Sequence, residues 1–73
     1  MNDFANKFDP ALEFWRLPKV AEKVGLGEST VRELVREGKF PEPRQLTTQA
    51  VAWRSIDVLE WMHVRPVAGE VKE

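Results

Sequence analysis

The stretch from Leu17 to Arg36 constrains the fold most, because two short amphipathic segments meet there across a turn of only a few residues. In the first segment Leu17, Val20, Ala21 and Val24 recur at i, i+3, i+4 and i+7, an apolar stripe at helical period, and Pro18 sits near the helix start, where a missing N–H costs nothing. Gly25 follows the last periodic residue and supplies a left-handed C-cap, with Leu26 as the apolar plug of the turn. The second segment begins near Glu28 and turns Val31, Leu34 and Val35 inward. That leaves Glu28, Ser29, Arg32, Glu33 and Arg36 facing outward until Gly38 ends the helix. Two helices joined in this way form a helix-turn-helix.

A chain of 73 residues makes one small domain. Such a domain buries about 60% of its unfolded surface and has no room for an enclosed active site. Cysteine is absent, which removes disulfides, thiolate nucleophiles and cysteine metal sites and fits a reducing compartment. The lone His63 cannot build a metal site. Ser29, Thr30, His63 and the scattered carboxylates offer no nucleophile, base and orienting group in one place, so the expectation is a protein without catalysis, metal or cofactor. Ser29 and Thr30 also have a structural role open to them, satisfying free N–H groups in the first turn of the second helix. No apolar run approaches the length of a spanning helix, and no secretory signal opens the chain, which predicts a cytoplasmic protein.

Along the chain, residues 1–15 read as an N-terminal arm with a short helical turn, Asp9 capping and Pro10 at the first helical position. Leu12, Phe14 and Trp15 close one side of the core as minor members, or Phe4 and Phe8, one helical turn apart, form an apolar patch for a protein partner. After Gly38, Pro41 and Pro43 forbid helix. Arg44–Leu46 and Val51–Arg54 then read as two short strands joined by Thr47-Thr48-Gln49-Ala50, a hairpin or wing. Without glycine or asparagine in that turn, a looser four-residue loop is expected in place of a two-residue primed turn. Trp53 is expected to pack inward. Ser55 is placed to cap a last helix from Ile56 to about Val64, whose stripe of Val58, Trp61 and Met62 is widened by Ile56 and Leu59. Arg65-Pro66 stops that helix. The domain therefore covers residues 16–65, with 66–73 as a disordered tail, and the fold class is mostly α with a small β-hairpin.

The net charge of −1 is unevenly spread. Residues 16–54 carry Arg16, Lys19, Lys23, Arg32, Arg36, Lys39, Arg44 and Arg54 against Glu22, Glu28, Glu33, Glu37 and Glu42, so the centre is mildly basic and the flanks are acidic. That pattern permits phosphate contact. In a helix-turn-helix protein the second helix enters the major groove, which makes Arg32 the candidate base reader through a bidentate pair to guanine. Ser29 and Thr30 can donate from the helix start, and Arg36 reaches the backbone one turn later. At the wing, Arg44 and Arg54 flank the strands, and Thr48 and Gln49 sit where they can reach phosphates or the minor groove. Glu28 and Glu33 oppose phosphates, so each accepts from a cytosine amino group or is turned aside.

With these elements in place the chain resembles a known family over nearly all of Leu17 to Arg65. The matching residues are Arg16-Leu17 with Val20 and Gly25-Leu26, then Ser29-Thr30-Val31 with Leu34, Gly38 and Phe40-Pro41. Beyond these come Ala50-Val51-Ala52-Trp53-Arg54-Ser55 and Trp61-Met62. They resemble the AlpA family of prophage-type regulators, part of the MerR-like and excisionase-like winged helix-turn-helix group. The resemblance implies a sequence-specific DNA-binding protein of a prophage or integrated element. Such a protein acts as a transcriptional regulator or as an excisionase that bends attachment-site DNA for a phage integrase, on double-stranded direct-repeat sites occupied side by side. The family usually has a serine and an arginine where this chain has Gly27 and Glu28, and an aromatic residue followed by an arginine where it has Arg32 and Glu33. A glycine-rich wing tip is replaced by Thr47, Thr48 and Gln49. These departures point to a different DNA sequence preference. The rival reading is a protein–protein adaptor that keeps the fold and contacts its partner through the acidic flanks and Phe4 and Phe8.

Overall fold

A computed structural model describes residues 12–69. Its elements run β1 (Phe14–Trp15), α1 (Leu17–Val24), α2 (Glu28–Arg36), β2 (Arg44–Thr47), β3 (Ala50–Arg54) and α3 (Ser55–His63). The helix-turn-helix forms where the apolar period places it. Pro18 lies in the first turn of α1, and Gly25 closes the helix at φ 78°, its N–H donating to the Ala21 carbonyl at 2.9 Å. A side chain at that φ would be strained, which is why glycine stands there. Gly38 repeats the device after α2 at φ 75°. At the centre sit three fully buried valines, one from each helix: Val20, Val31 and Val58. Each contributes roughly 1.5–3 kcal/mol through burial.

Trp15, Ala21, Phe40, Ala52 and Trp53 complete the buried core, and Leu17, Val24, Leu26, Leu34, Val35, Trp61 and Met62 pack on it half-buried. The chain thus adopts the winged helix-turn-helix that its sequence predicts, with a sheet one strand larger than the expected hairpin. The sheet order is β1-β3-β2, and both pairings are antiparallel. Phe14 lies opposite Arg54 and Trp15 opposite Trp53. Trp15 is therefore a full core residue, not a minor one, while Phe14 and Leu12 stay exposed. A two-residue strand is too short to show a period of two, and its partner lies far along the chain, so local patterning cannot reveal it. The expected cap at Asp9-Pro10, and Phe4 and Phe8, lie outside the described residues.

Three further expectations change. The wing turn is tighter than the four-residue loop, because Thr47 pairs with Ala50 and only Thr48 and Gln49 remain as the tip. It is not a primed turn either, since no residue but glycine has positive φ among those described. The register slips between Gln45 and Thr47, a bulge that takes up the twist a primed turn would otherwise match. The Thr47 hydroxyl accepts from the Gln49 N–H at 3.1 Å and holds the tip.

Ser55 does not cap α3 from outside; it is the helix's first residue, after Arg54 as N-cap. Its hydroxyl accepts from the Glu13 N–H at 3.0 Å, and its own N–H donates to the Glu13 carbonyl at 2.7 Å. This reciprocal pair ties the chain entering β1 to the start of α3, and Ser55 is 1% exposed within it. Finally, Ile56 and Leu59 do not widen the α3 stripe but remain exposed, because a nine-residue helix resting on a narrow sheet buries only the Val58, Trp61 and Met62 side. Replacing Ser55 with alanine strands the Glu13 N–H and is expected to cost about 1–3 kcal/mol, read as a lower urea midpoint at unchanged m.

Candidate nucleic-acid interface

Helix α2 turns one fully buried side chain, Val31, into the protein and leaves Ser29, Thr30, Arg32, Glu33 and Arg36 exposed. At 100° per residue, Ser29, Glu33 and Arg36 occupy the middle of the outward face. Arg32, one turn before Val35, lies on the flank that faces the wing and not at mid-face. There it lines a groove of about 320 Å³ with Val35, the start of α1 at Arg16, Leu17 and Pro18, and the hairpin base at Pro43, Val51 and Trp53. Gly27, the N-cap, has no side chain to offer the first turn, and Glu28 supplies the negative charge that suits a helix N-terminus.

Both α2 carboxylates are turned onto neighbouring arginines. Glu28 lies 3.9 Å from Arg32, and Glu33 accepts a hydrogen bond from Arg36. Ion pairs this exposed contribute only about 0–1 kcal/mol, so a phosphate or a guanine edge can replace either one. The wing presents Arg44, Thr48 and Gln49 exposed. Strand alternation puts Val51 and Trp53 on the groove side of β3 and Arg54 on the other side, towards α3. There the Arg54 Nε and a terminal nitrogen donate to Asp57 at 3.0 and 2.9 Å. The structure therefore gathers Arg32, Arg16 and the hairpin base around one groove and sets Arg54 apart from them.

The connection between α2 and the wing is held by aromatic side chains. Phe40 packs edge-on against Trp53 with centroids 6.2 Å apart and tilted against Trp61 at 4.7 Å. The Trp53 indole N–H donates to the Pro41 carbonyl at 2.7 Å and that of Trp61 to the Lys39 carbonyl at 2.9 Å. Sequence reasoning singled out both tryptophans as core but missed this anchoring role. It also missed Arg16 as a wall of the groove, although Arg16 stands directly before the helix start at Leu17-Pro18.

Among the described residues no cluster of histidine and acidic side chains could hold a metal ion, and no helix is long and apolar enough to cross a membrane.

An outward helix after a tight turn, a two-stranded wing beside it and a closing helix behind define the winged helix-turn-helix class of fold. Residues 13–66 match the family model described as prophage CP4-57 regulatory protein (AlpA), and the chain belongs to this AlpA family. It is 43% identical over 56 residues to an uncharacterized protein, ORF88, of Enterobacteria phage P4. That match covers 77% of this chain and 62% of the relative, so the chain spans less than two thirds of that protein. No solved structure matches it.

Two carboxylates are held below their usual range. The Arg54 guanidinium hydrogen-bonded to Asp57 does this for Asp57, and the Trp15 indole N–H, with Lys19, does it for Glu13. A carboxyl whose folded value is depressed stabilises the fold above its ordinary value and stops doing so as pH falls through the lowered folded value. The melting temperature is therefore expected to hold between neutral pH and about pH 5 and to fall below about pH 4. Asp57→Asn should make that acid limb shallower in a circular-dichroism melt series, and an unchanged limb would remove the pair from the acid response.

Proposed function

We propose that this chain is a sequence-specific DNA-binding regulator of a prophage or integrated element, with α2 in the major groove and the wing against the adjoining backbone or minor groove. The observation that carries the reading is the outward face of α2, where Ser29, Arg32 and Arg36 are exposed beside an exposed wing tip. Arg32 reads a base edge from the wing-side flank, with Ser29 and Thr30 donating from the helix start. Arg36 and Arg44 bind phosphates and set the register, and Thr48 and Gln49 donate at the wing tip. Arg54 joins them only by exchanging Asp57 for a phosphate. Within this reading the protein acts as a transcriptional regulator or as an excisionase that bends attachment-site DNA. Its sites are direct repeats in a promoter or attachment region, occupied by adjacent copies and, for excision, alongside a phage integrase.

A second reading, a protein–protein adaptor, draws support from a different face. Leu12, Phe14 and Ile56 stay exposed around a hollow at the β1 edge, and Leu59 is exposed one turn along α3. On this reading an apolar partner segment meets this surface, together with the acidic flanks and Phe4 and Phe8 of the sequence.

Fluorescence anisotropy on duplexes from the upstream region and the nearest attachment site, against scrambled DNA over a salt series, separates the readings. Tighter binding to one native fragment, with log affinity falling linearly in log salt, is expected; weak binding that ignores sequence would favour the adaptor. Arg32→Ala is expected to cost about 1–3 kcal/mol on the native fragment and less on scrambled DNA, and equal losses would end its base-reading role. Arg54→Ala distinguishes its two roles. A salt slope flatter by about one unit assigns it to phosphate, and an unchanged slope with lowered stability assigns it to the fold.

A further inference from the structure

The groove between the start of α1, the wing-side flank of α2 and the hairpin base has Leu17, Val35, Val51 and Trp53 among its walls, and its charged lining residues are Arg16 and Arg32. We propose that this groove seats one sugar–phosphate strand of bound duplex DNA and that Arg16 is its phosphate clamp, a positioning residue that holds the strand against α2. The inference rests on the DNA-binding reading above and adds to it a site and a residue outside the recognition helix and the wing.

Three observations converge on it. The first is charge. No carboxylate lines the groove, and of its two arginines Arg32 lies 3.9 Å from Glu28 while Arg16 makes no ion pair among the described residues, whereas Lys19, Arg36 and Arg54 are each matched to a carboxylate.

The second is shape. With α2 in the major groove and the wing reaching the neighbouring minor groove, the part of the duplex that passes between them is the backbone strand separating those two grooves. The groove lies at that place, with Arg32 and Val35 of α2 and Val51 of the hairpin among its lining residues.

The third is chemistry. A nucleic-acid strand alternates an anionic phosphate with a sugar that presents C–H groups, and the lining of the groove combines two guanidinium side chains with apolar ones. Val51 is 38% exposed and Leu17 and Val35 are half-buried, so the strand covers wet apolar surface as its phosphate meets the arginine. The planar guanidinium can grip two phosphate oxygens at once, which a lysine in the same place cannot. Arg32, contributed by α2, is left to turn towards the base edges.

The test uses the full chain and fluorescence anisotropy on the fragment that the unmodified protein prefers, and on scrambled DNA, over a salt series. Arg16→Ala is expected to weaken binding about tenfold on both and to flatten the log–log salt slope by about one unit. Arg16→Lys is expected to keep the slope and recover only part of the affinity. A set of duplexes, each with one phosphate replaced by an uncharged methylphosphonate, locates the contact. One position should weaken the unmodified protein and leave Arg16→Ala unaffected.

Salt-dependent, sequence-selective binding by the unmodified protein, with Arg16→Ala keeping the same slope and the same methylphosphonate profile, would overturn the clamp while leaving the DNA-binding reading intact. A loss of affinity at unchanged slope overturns it too. No salt-dependent binding by the unmodified protein would overturn both. Thermal melts of the variants show that they fold, which the exposed Arg16 side chain leads one to expect.

Discussion

The arrangement of Phe40 between Trp53 and Trp61 is the constraint on which the rest of the structure depends. The segment after α2 carries Pro41 and Pro43, which have no N–H and cannot enter a ladder, so its carbonyls need donors from elsewhere. The two indoles supply them, at Lys39 and Pro41. Because Trp53 stands on β3 and Trp61 on α3, one short stretch of chain is fastened to the sheet and the last helix together. The Phe40 ring, 5% exposed, fills the space between them. The segment that joins α2 to the wing is held in place by this packing. Val31 is the one fully buried side chain of α2, with Leu34 and Val35 packed half-buried beside it, so ties beyond the helix add to its hold.

A second fastening works at the other end of the sheet. The paired hydrogen bonds between Glu13 and Ser55 bring β1 against β3 and fix where α3 begins. They also set the course of the chain at Arg16, two residues after β1 begins and one of the residues lining the groove. In a domain of this size every additional tie matters, because total stability amounts to only a few kcal/mol and the buried apolar side chains are few. The exposed Ile56 and Leu59 show how little of α3 is spent on the core.

Charge placement explains how a chain with a net charge of −1 can leave one groove lined by arginines and no carboxylate. The acidic residues of α2 are folded onto arginines of the same helix, and Asp57 and Glu13 are held by Arg54 and by Trp15 with Lys19. The groove at the hairpin base is left with guanidinium groups and no carboxylate. Summed charge is a poor guide to such a surface, since what a strand of nucleic acid meets is a local field at one face.

The helix-turn-helix was legible in the sequence to within a residue or so at each end, because apolar residues at helical spacing, a proline in the first turn and glycines after each helix are local signals that local physics obeys. The hairpin and the last helix were legible for the same reason, as was the burial of Trp53. The candidate residues on α2 and the wing were legible only as types and positions along the chain. That Arg32 flanks a groove, that Arg54 turns the other way to Asp57, and that Arg16 belongs with Arg32 depend on how three segments distant in sequence are brought together. The strand at Phe14-Trp15 and the buried role of Ser55 likewise arise from pairings across some forty residues. By itself the sequence determined the elements and their order, since propensity, capping and period act within a few residues. Tertiary structure alone decided which side chains of different elements meet, because that depends on the Phe40, Trp53 and Trp61 packing and on a sheet register that no local pattern encodes.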